Sequence, residues 1–226
     1  MFTDPTGMSA EYPETIFPRL VKEDKNGNVI AKDGFFTKKF HQQMGKFMST
    51  KIGKSYISNF MKKGDTFLGY TASENGKFSN YDFRISEMNI KEPSARGVYM
   101  RNQGSFSYGI DKENGNLYFN LKIDSNLSPD QILETIGHEL NLHGYKVNQL
   151  INYYEKNGKD EFIRAMKNGE FPSGDDDHRA IRDWDCTHQG LNNYESFMNE
   201  IIGKDKNMKK TFDNERKHYK EIYNDR

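Results

Sequence analysis

The sequence predicts an α+β fold: a small antiparallel sheet packed on a backing helix and on a second, site-bearing helix, followed by a helical C-terminal region. Three observations predict it. Apolar residues recur at helical spacing from Phe40 to Met61. Short runs rich in aromatic and β-branched residues fill 66 to 124, and past Ser128 helical spacing returns and persists. Hydrophobic residues are only 34% of the 226, but an aromatic content of 13% is too high for a chain disordered throughout, so the core should be rich in Phe, Tyr and Met. The expected organisation is a leading segment at 1–16, a single α+β domain at 17–204 and a C-terminal helix at 205–226.

Each element has a local reason. Leu20-Val21-Lys22 and Val29-Ile30-Ala31 flank Asn26-Gly27-Asn28, a hairpin signal because Asn-Gly supplies the positive φ of a tight turn. Phe40, Met44, Phe47, Ile52, Tyr56, Ile57 and Phe60 make the apolar face of a backing helix or helix pair, with Gly53 as the expected break. Every charged residue between Gly34 and Gly64 is a lysine, which reads as a solvated face or, alternatively, as contact with an anionic partner. Strands are expected at Phe67-Leu68-Gly69-Tyr70, 81–85, 105–108 and 117–123, the last two joined at Asn114-Gly115. Ser128-Pro129-Asp130-Gln131 then starts a helix with a serine cap, proline in the first turn and Gln131 completing a capping box. That helix should run toward Glu155 and stop at Gly158. A short helix at 161–167, a loop through Pro172 and Gly174, a helix at 194–202 and a charged helix at about 207–223 complete the chain.

The helix begun at Ser128 carries His138-Glu139-Leu140-Asn141-Leu142-His143, two metal-type imidazoles and a carboxylate able to act as general base. In the HExxH arrangement of zinc hydrolases the histidines stand at i and i+4 and share one helix face. Here they stand at i and i+5, about 140° apart on an ideal helix, so both reach one ion only if the helix breaks, bulges or widens between Glu139 and Gly144. The alternative is structural: His143 falls at the border of the stripe Leu133, Ile136, Leu140, Val147 and Ile151, where a half-buried histidine needs no metal. A catalytic zinc takes three protein ligands, and the best third is His178, with Asp177 as ligand or as partner of a ligand. His188 and Glu195 are weaker candidates. The competing reading of Asp175 to His178 is a solvated first helical turn. Cys186, two residues before His188, could be a nucleophile, but a lone cysteine is more often a small buried hydrophobe.

Two resemblances follow from these residues. Phe2, Asp4, Pro5, Gly7 and Met8 resemble the segment that closes the shell of RHS-repeat proteins, after which a variable C-terminal toxin begins. Gly137 to Gly144, with Asp177-His178 later, is similar to toxin domains at the ends of such proteins. The order of backing helix, sheet, site helix and helical tail resembles the compact zincin metallopeptidases. The resemblances imply a secreted antibacterial effector acting as a Zn²⁺-dependent metallopeptidase, with His138, His143, His178 and Asp177 as metal residues and Glu139 as the catalytic base. They also imply a protein substrate in the target cell, a cognate immunity protein, the RHS shell of a parent chain as partner, and delivery into a target cell without a Sec signal.

Composition sets limits on the rivals. Formal net charge is zero, so nothing drives the chain globally toward nucleic acid, and nucleic acid is not an expected partner. No run approaches the ~20 apolar residues of a membrane span, and the first residues lack the pattern of a Sec signal. A nuclease in which Asp175, Asp177 and His178 bind a harder cation is the first rival. A non-enzymatic module that caps an RHS shell, with purely structural histidines, is the second.

Overall fold

The computed structural model describes residues 19–20, 22–23, 29–31, 37–88, 103–112, 114–172, 174–185 and 187–224. The leading segment, the Asn26-Gly27-Asn28 turn and Cys186 lie outside them. The fold is mixed α+β and divides into two compact units, one drawn from Met1–Tyr108 and Tyr118–Ile136, the other from Gly109–Leu117 and Gly137–Arg226.

The first unit begins with β1 (Arg19–Leu20), β2 (Lys22–Glu23) and β3 (Val29–Ala31), and β2 and β3 pair antiparallel. The backing element is a helix pair, α1 (Lys38–Met48) and α2 (Lys51–Ser58). The break lies at Ser49-Thr50 and not at Gly53, because Thr50 caps α2 by accepting the Gly53 N–H at 2.9 Å. Gly53 serves close approach instead: a Cβ there would stand 2.2 Å from the Phe47 carbonyl oxygen. The lysine run is partly structural, since Lys39 Nζ donates to the Ser125 and Leu127 carbonyls at 2.9 and 2.5 Å. The strand expected at 67–70 is a hairpin of β4 (Thr66–Phe67) and β5 (Tyr70–Thr71), turned at Leu68 (φ 49°) and Gly69 (φ 80°).

β6 (Asp82–Met88), β7 (Gly104–Ile110) and β8 (Leu117–Asp124) join β1 in a four-stranded sheet of order β1-β6-β8-β7. The expected all-antiparallel sheet is instead mixed, for β6 runs parallel to both β1 and β8. The cause is that β8 is inserted between β6 and β7, which the long connection 89–103 permits. β8 belongs in that central place because Leu117, Phe119, Leu121 and Ile123 are almost completely buried. Phe60, just past α2, joins helices to sheet, stacking on Phe83 at 4.8 Å and meeting Phe119 at 5.7 Å between ring centroids. α3 (Pro129–Gly137) starts with the expected capping box: the Ser128 N–H donates to Gln131 Oε1 and the Gln131 N–H to Ser128 Oγ.

The second unit is helical apart from the hairpin tip at Asn114-Gly115. Past Gly137 the helix widens into a π-helix at His138–His143, tightens into a 3₁₀ turn at Gly144–Lys146 and continues as α4 (Val147–Lys167). Gly158 (φ 80°, ψ 174°) interrupts α4 where a helix stop was expected. α5 (Gly174–Asp183), α6 (Gln189–Lys204) and α7 (Met208–Asn224) follow. Leu140, Leu142, Leu150, Phe162, Ile181, Leu191 and Phe197 are among its most deeply buried side chains. No helix among the described residues is long and apolar enough to cross a membrane.

Candidate metal centre

The widened turn answers the spacing of the motif. In an α-helix residues four apart stack on one face, whereas in a π-helix the hydrogen bond runs from i to i+5 and residues five apart take that relation. The Gly144 N–H accordingly donates to the Glu139 carbonyl. At the junction, the Asn141 side-chain amide donates to the Gly137 carbonyl at 2.9 Å, satisfying a group that the change of ladder disturbs. Two glycines let α6 lie close to this turn. A Cβ at Gly137 would stand 2.0 Å from Phe197 Cε1, and one at Gly190 would stand 2.3 Å from the Leu142 carbonyl oxygen.

His138 and His143 thereby face each other, with Nε2 atoms 3.1 Å apart. His178, on the first turns of α5, completes a triangle, its Nε2 3.3 Å from that of His138 and 3.1 Å from that of His143. These three histidines are close enough to bind one metal ion. Tetrahedral bonds of about 2.0 to 2.1 Å set ligand atoms about 3.3 Å apart, close to this triangle. Among the described residues no fourth His, Cys, Asp or Glu joins this trio.

Proton placement gives an independent test of fit. His143 Nδ1 lies 2.7 Å from Asp177 Oδ2, so its proton sits on Nδ1 and its Nε2 presents a lone pair. His138 Nδ1 lies 2.9 Å from Glu215 Oε1 on α7, within ion-pair distance though bent away from hydrogen-bond geometry, and this favours the same tautomer. Two lone pairs then face each other at 3.1 Å. A proton on His178 can bridge to only one of them, whereas a cation among the three nitrogens satisfies all.

Burial disfavours the charged form of two of the three, His143 and His178. His178 is lowered to about 2, first by burial and then by His138, His143 and Lys146. His143 is also lowered, chiefly by burial, which outweighs the opposing pull of Asp177. Neutral imidazoles are the form that binds metal.

Asp177, expected as a ligand or as partner of one, stands on the Nδ1 side of His143, away from the three Nε2 atoms. It is fully buried, with Oδ2 shared between His143 Nδ1 and Lys146 Nζ at 3.1 Å, and Oδ1 3.2 Å from His188 Nε2. Burial pushes its carboxyl upward, but the His143 hydrogen bond and the Lys146 charge outweigh this and hold it below the usual carboxylate range. His188 is outside the ligand trio: its Nδ1 caps α6 by accepting the Leu191 N–H at 3.2 Å. Glu195 lies outside the trio as well, lining a cavity beside α7. Tyr145 packs its ring against His188 at 5.0 Å, and burial and then Asp177 push its phenol up to about 12. Glu139 is buried in the π-helix and does not join the ligand group.

Three participants escaped the sequence reading. Lys146 stands one turn beyond His143, and no motif in the sequence marks it. Tyr194, whose ring meets that of His138 edge-on at 5.5 Å, is expected from sequence only as the start of a helix. Glu215 lies 77 positions beyond His138 in the chain, on a helix of alternating charges, and carries no local signal.

Comparisons with protein-family models, with curated proteins and with solved structures find no match to this chain. The class of site is therefore defined by its own geometry: a buried three-histidine centre on a π-helix and the helix after it.

Proposed function

We propose that the chain is a zinc-dependent hydrolase, with peptide-bond cleavage as its reaction, in which His138, His143 and His178 hold the metal and Glu139 is the general base. The single observation that carries this reading is the convergence of the three Nε2 atoms around one point, with Glu139 buried in the same turn. An all-imidazole donor set favours zinc over hard cations such as Mg²⁺ or Ca²⁺, which select oxygen. Asp177 supports the same choice, because its oxygens are engaged by His143, Lys146 and His188 and not by the trio's centre. This weighs against the nuclease alternative.

Zinc bound there supplies Lewis acidity to a carbonyl oxygen and to water. The protein's own residues do the rest. Asp177 anchors the His143 ring through Nδ1 and raises the donor strength of its Nε2. Glu139 accepts the proton of the attacking water and passes it to the departing amine nitrogen. The RHS-like leading segment supports a role as the toxin end of a longer effector, delivered into a target cell and neutralised there by an immunity protein.

Metal analysis of the purified chain together with the Glu139→Gln variant tests the reading. One zinc per chain is expected in both, with hydrolysis of a peptide library, and toxicity inside a sensitive cell, lowered about 10²- to 10⁴-fold by the substitution. Full activity in Glu139→Gln would sink the mechanism. Absence of bound metal and of toxicity would favour the structural capping module.

A further inference from the structure

We propose that Glu215, on the C-terminal helix α7, is a positioning residue for His138, so that α7 is a working part of the metal centre. The inference rests on the zinc reading above and adds a residue and an element to it. Its ground is a symmetry in the site. Each of the two π-helix histidines has a carboxylate on its Nδ1 side and the ligand point on its Nε2 side: Asp177 hydrogen-bonded at 2.7 Å for His143, and Glu215 at an ion-pair distance of 2.9 Å for His138. A carboxylate in that place selects the Nδ1-protonated tautomer, fixes the ring plane and strengthens Nε2 as a donor.

The two carboxylates are held differently. Asp177 is inaccessible and shared with Lys146 and His188, while the Glu215 side chain is 15% exposed. Glu215 also borders a cavity of about 180 Å³ between α5, α6 and α7, lined by Tyr194, Met198, Phe212 and Arg216 among others. Tyr194 lines the same cavity and its ring meets that of His138 edge-on at 5.5 Å, so the cavity reaches the neighbourhood of the ring from Glu215 and Tyr194 together. Truncating Glu215 therefore leaves a space, continuous with the cavity, in which a small carboxylate can replace the lost one.

That geometry supplies an experiment that a merely structural role does not satisfy. Zinc affinity of the 226-residue chain is measured by competition with a chromophoric chelator, for the parent and for Glu215→Ala, Glu215→Gln and Lys217→Ala. Co²⁺ absorption is recorded alongside as a report on ligand geometry. Glu215→Ala is expected to bind zinc about 10- to 100-fold more weakly, with a changed Co²⁺ spectrum. Glu215→Gln should fall between it and the parent, since an amide oxygen can face Nδ1 in place of the carboxylate but carries no charge. Lys217→Ala, an exposed change on the same helix, should match the parent.

Added acetate should recover part of the affinity lost in Glu215→Ala, and chloride at the same ionic strength should not. Glu134 stands four residues before His138 on the same helix, so Glu134→Gln is measured beside these variants. Zinc binding by Glu215→Ala within about twofold of the parent overturns the inference, and so does a loss that acetate leaves unchanged or a loss confined to Glu134→Gln. A parent chain that binds no zinc overturns the metal reading itself, a result distinct from all of these.

Discussion

Replacing His178 by alanine tests the centre most directly, because His178 is the one ligand supplied from outside the π-helix. Zinc held by four ligands in small structural sites is worth about 10 to 16 kcal/mol, or about 2.5 to 4 kcal/mol per ligand. At 1.4 kcal/mol per decade, loss of His178 should weaken zinc binding roughly 10²- to 10³-fold. The same loss should appear in thermal unfolding. Free zinc at about 100 times the parent's Kd stabilises by about 2.7 kcal/mol, which for a chain of this size raises Tm by roughly 5 to 11 °C. After a 100-fold loss of affinity the same zinc concentration equals Kd and stabilises by about 0.4 kcal/mol, a shift of roughly 1 to 2 °C. Chelator-competition titration and differential scanning fluorimetry, each with and without zinc, read these quantities. An affinity within about fivefold of the parent, or an undiminished zinc-dependent shift, would refute the assignment of His178 as a ligand.

Two further outcomes follow from the same geometry. Gly190→Ala should destabilise by about 1 to 3 kcal/mol in urea unfolding, because its Cβ would collide with the Leu142 carbonyl, while Gly203→Ala on the same helix, with open space around it, should be neutral or slightly stabilising. In the metal-free chain, burial holds His178 at about 2 against 6.5 in the unfolded state, so the unfolded chain binds the extra proton between those values. Its neutral form is thus fully compatible with folding above about pH 6.5, and stability falls below it, by about 1.4 kcal/mol per pH unit. The stability difference between parent and His178→Ala, followed by urea midpoints from pH 8 to pH 5 in chelator, should be flat at the top of the range and move against the parent below about 6.5. A difference independent of pH would show that His178 titrates normally.

The parts of the fold legible in the sequence are those governed by local chemistry. The capping box at Ser128 and Gln131, the turn at Asn114-Gly115 and the stop at Gly158 each depend on residues within a few positions, and each is found where those residues stand. Strand order was not legible, because the placement of β8 between β6 and β7 is decided by which strand buries most apolar surface, a comparison across the whole sheet. Gly53 illustrates the same limit at one residue. Its sequence context suggested a break, whereas its role is to admit the Phe47 carbonyl, which no helical pattern reveals.

The site shows why a motif with one residue too many need not be a failed motif. Spacing fixes side-chain direction only once the helix type is known, and five residues that diverge by about 140° on an α-helix converge on a π-helix. The wider turn has poorer hydrogen-bond geometry than the α-helix, so it persists only where its surroundings hold it. Here Asn141 covers the Gly137 carbonyl, Gly137 and Gly190 admit Phe197 and the α6 backbone, and Asp177 draws the His143 ring by its outer nitrogen. Each of these acts on the turn itself and none requires the metal. The residues of the motif and the residues that hold the widened turn are therefore one requirement: restoring the four-residue spacing by deletion would move Gly144, Tyr145 and Lys146 out of register with α6 and Asp177, even as it repaired the pattern.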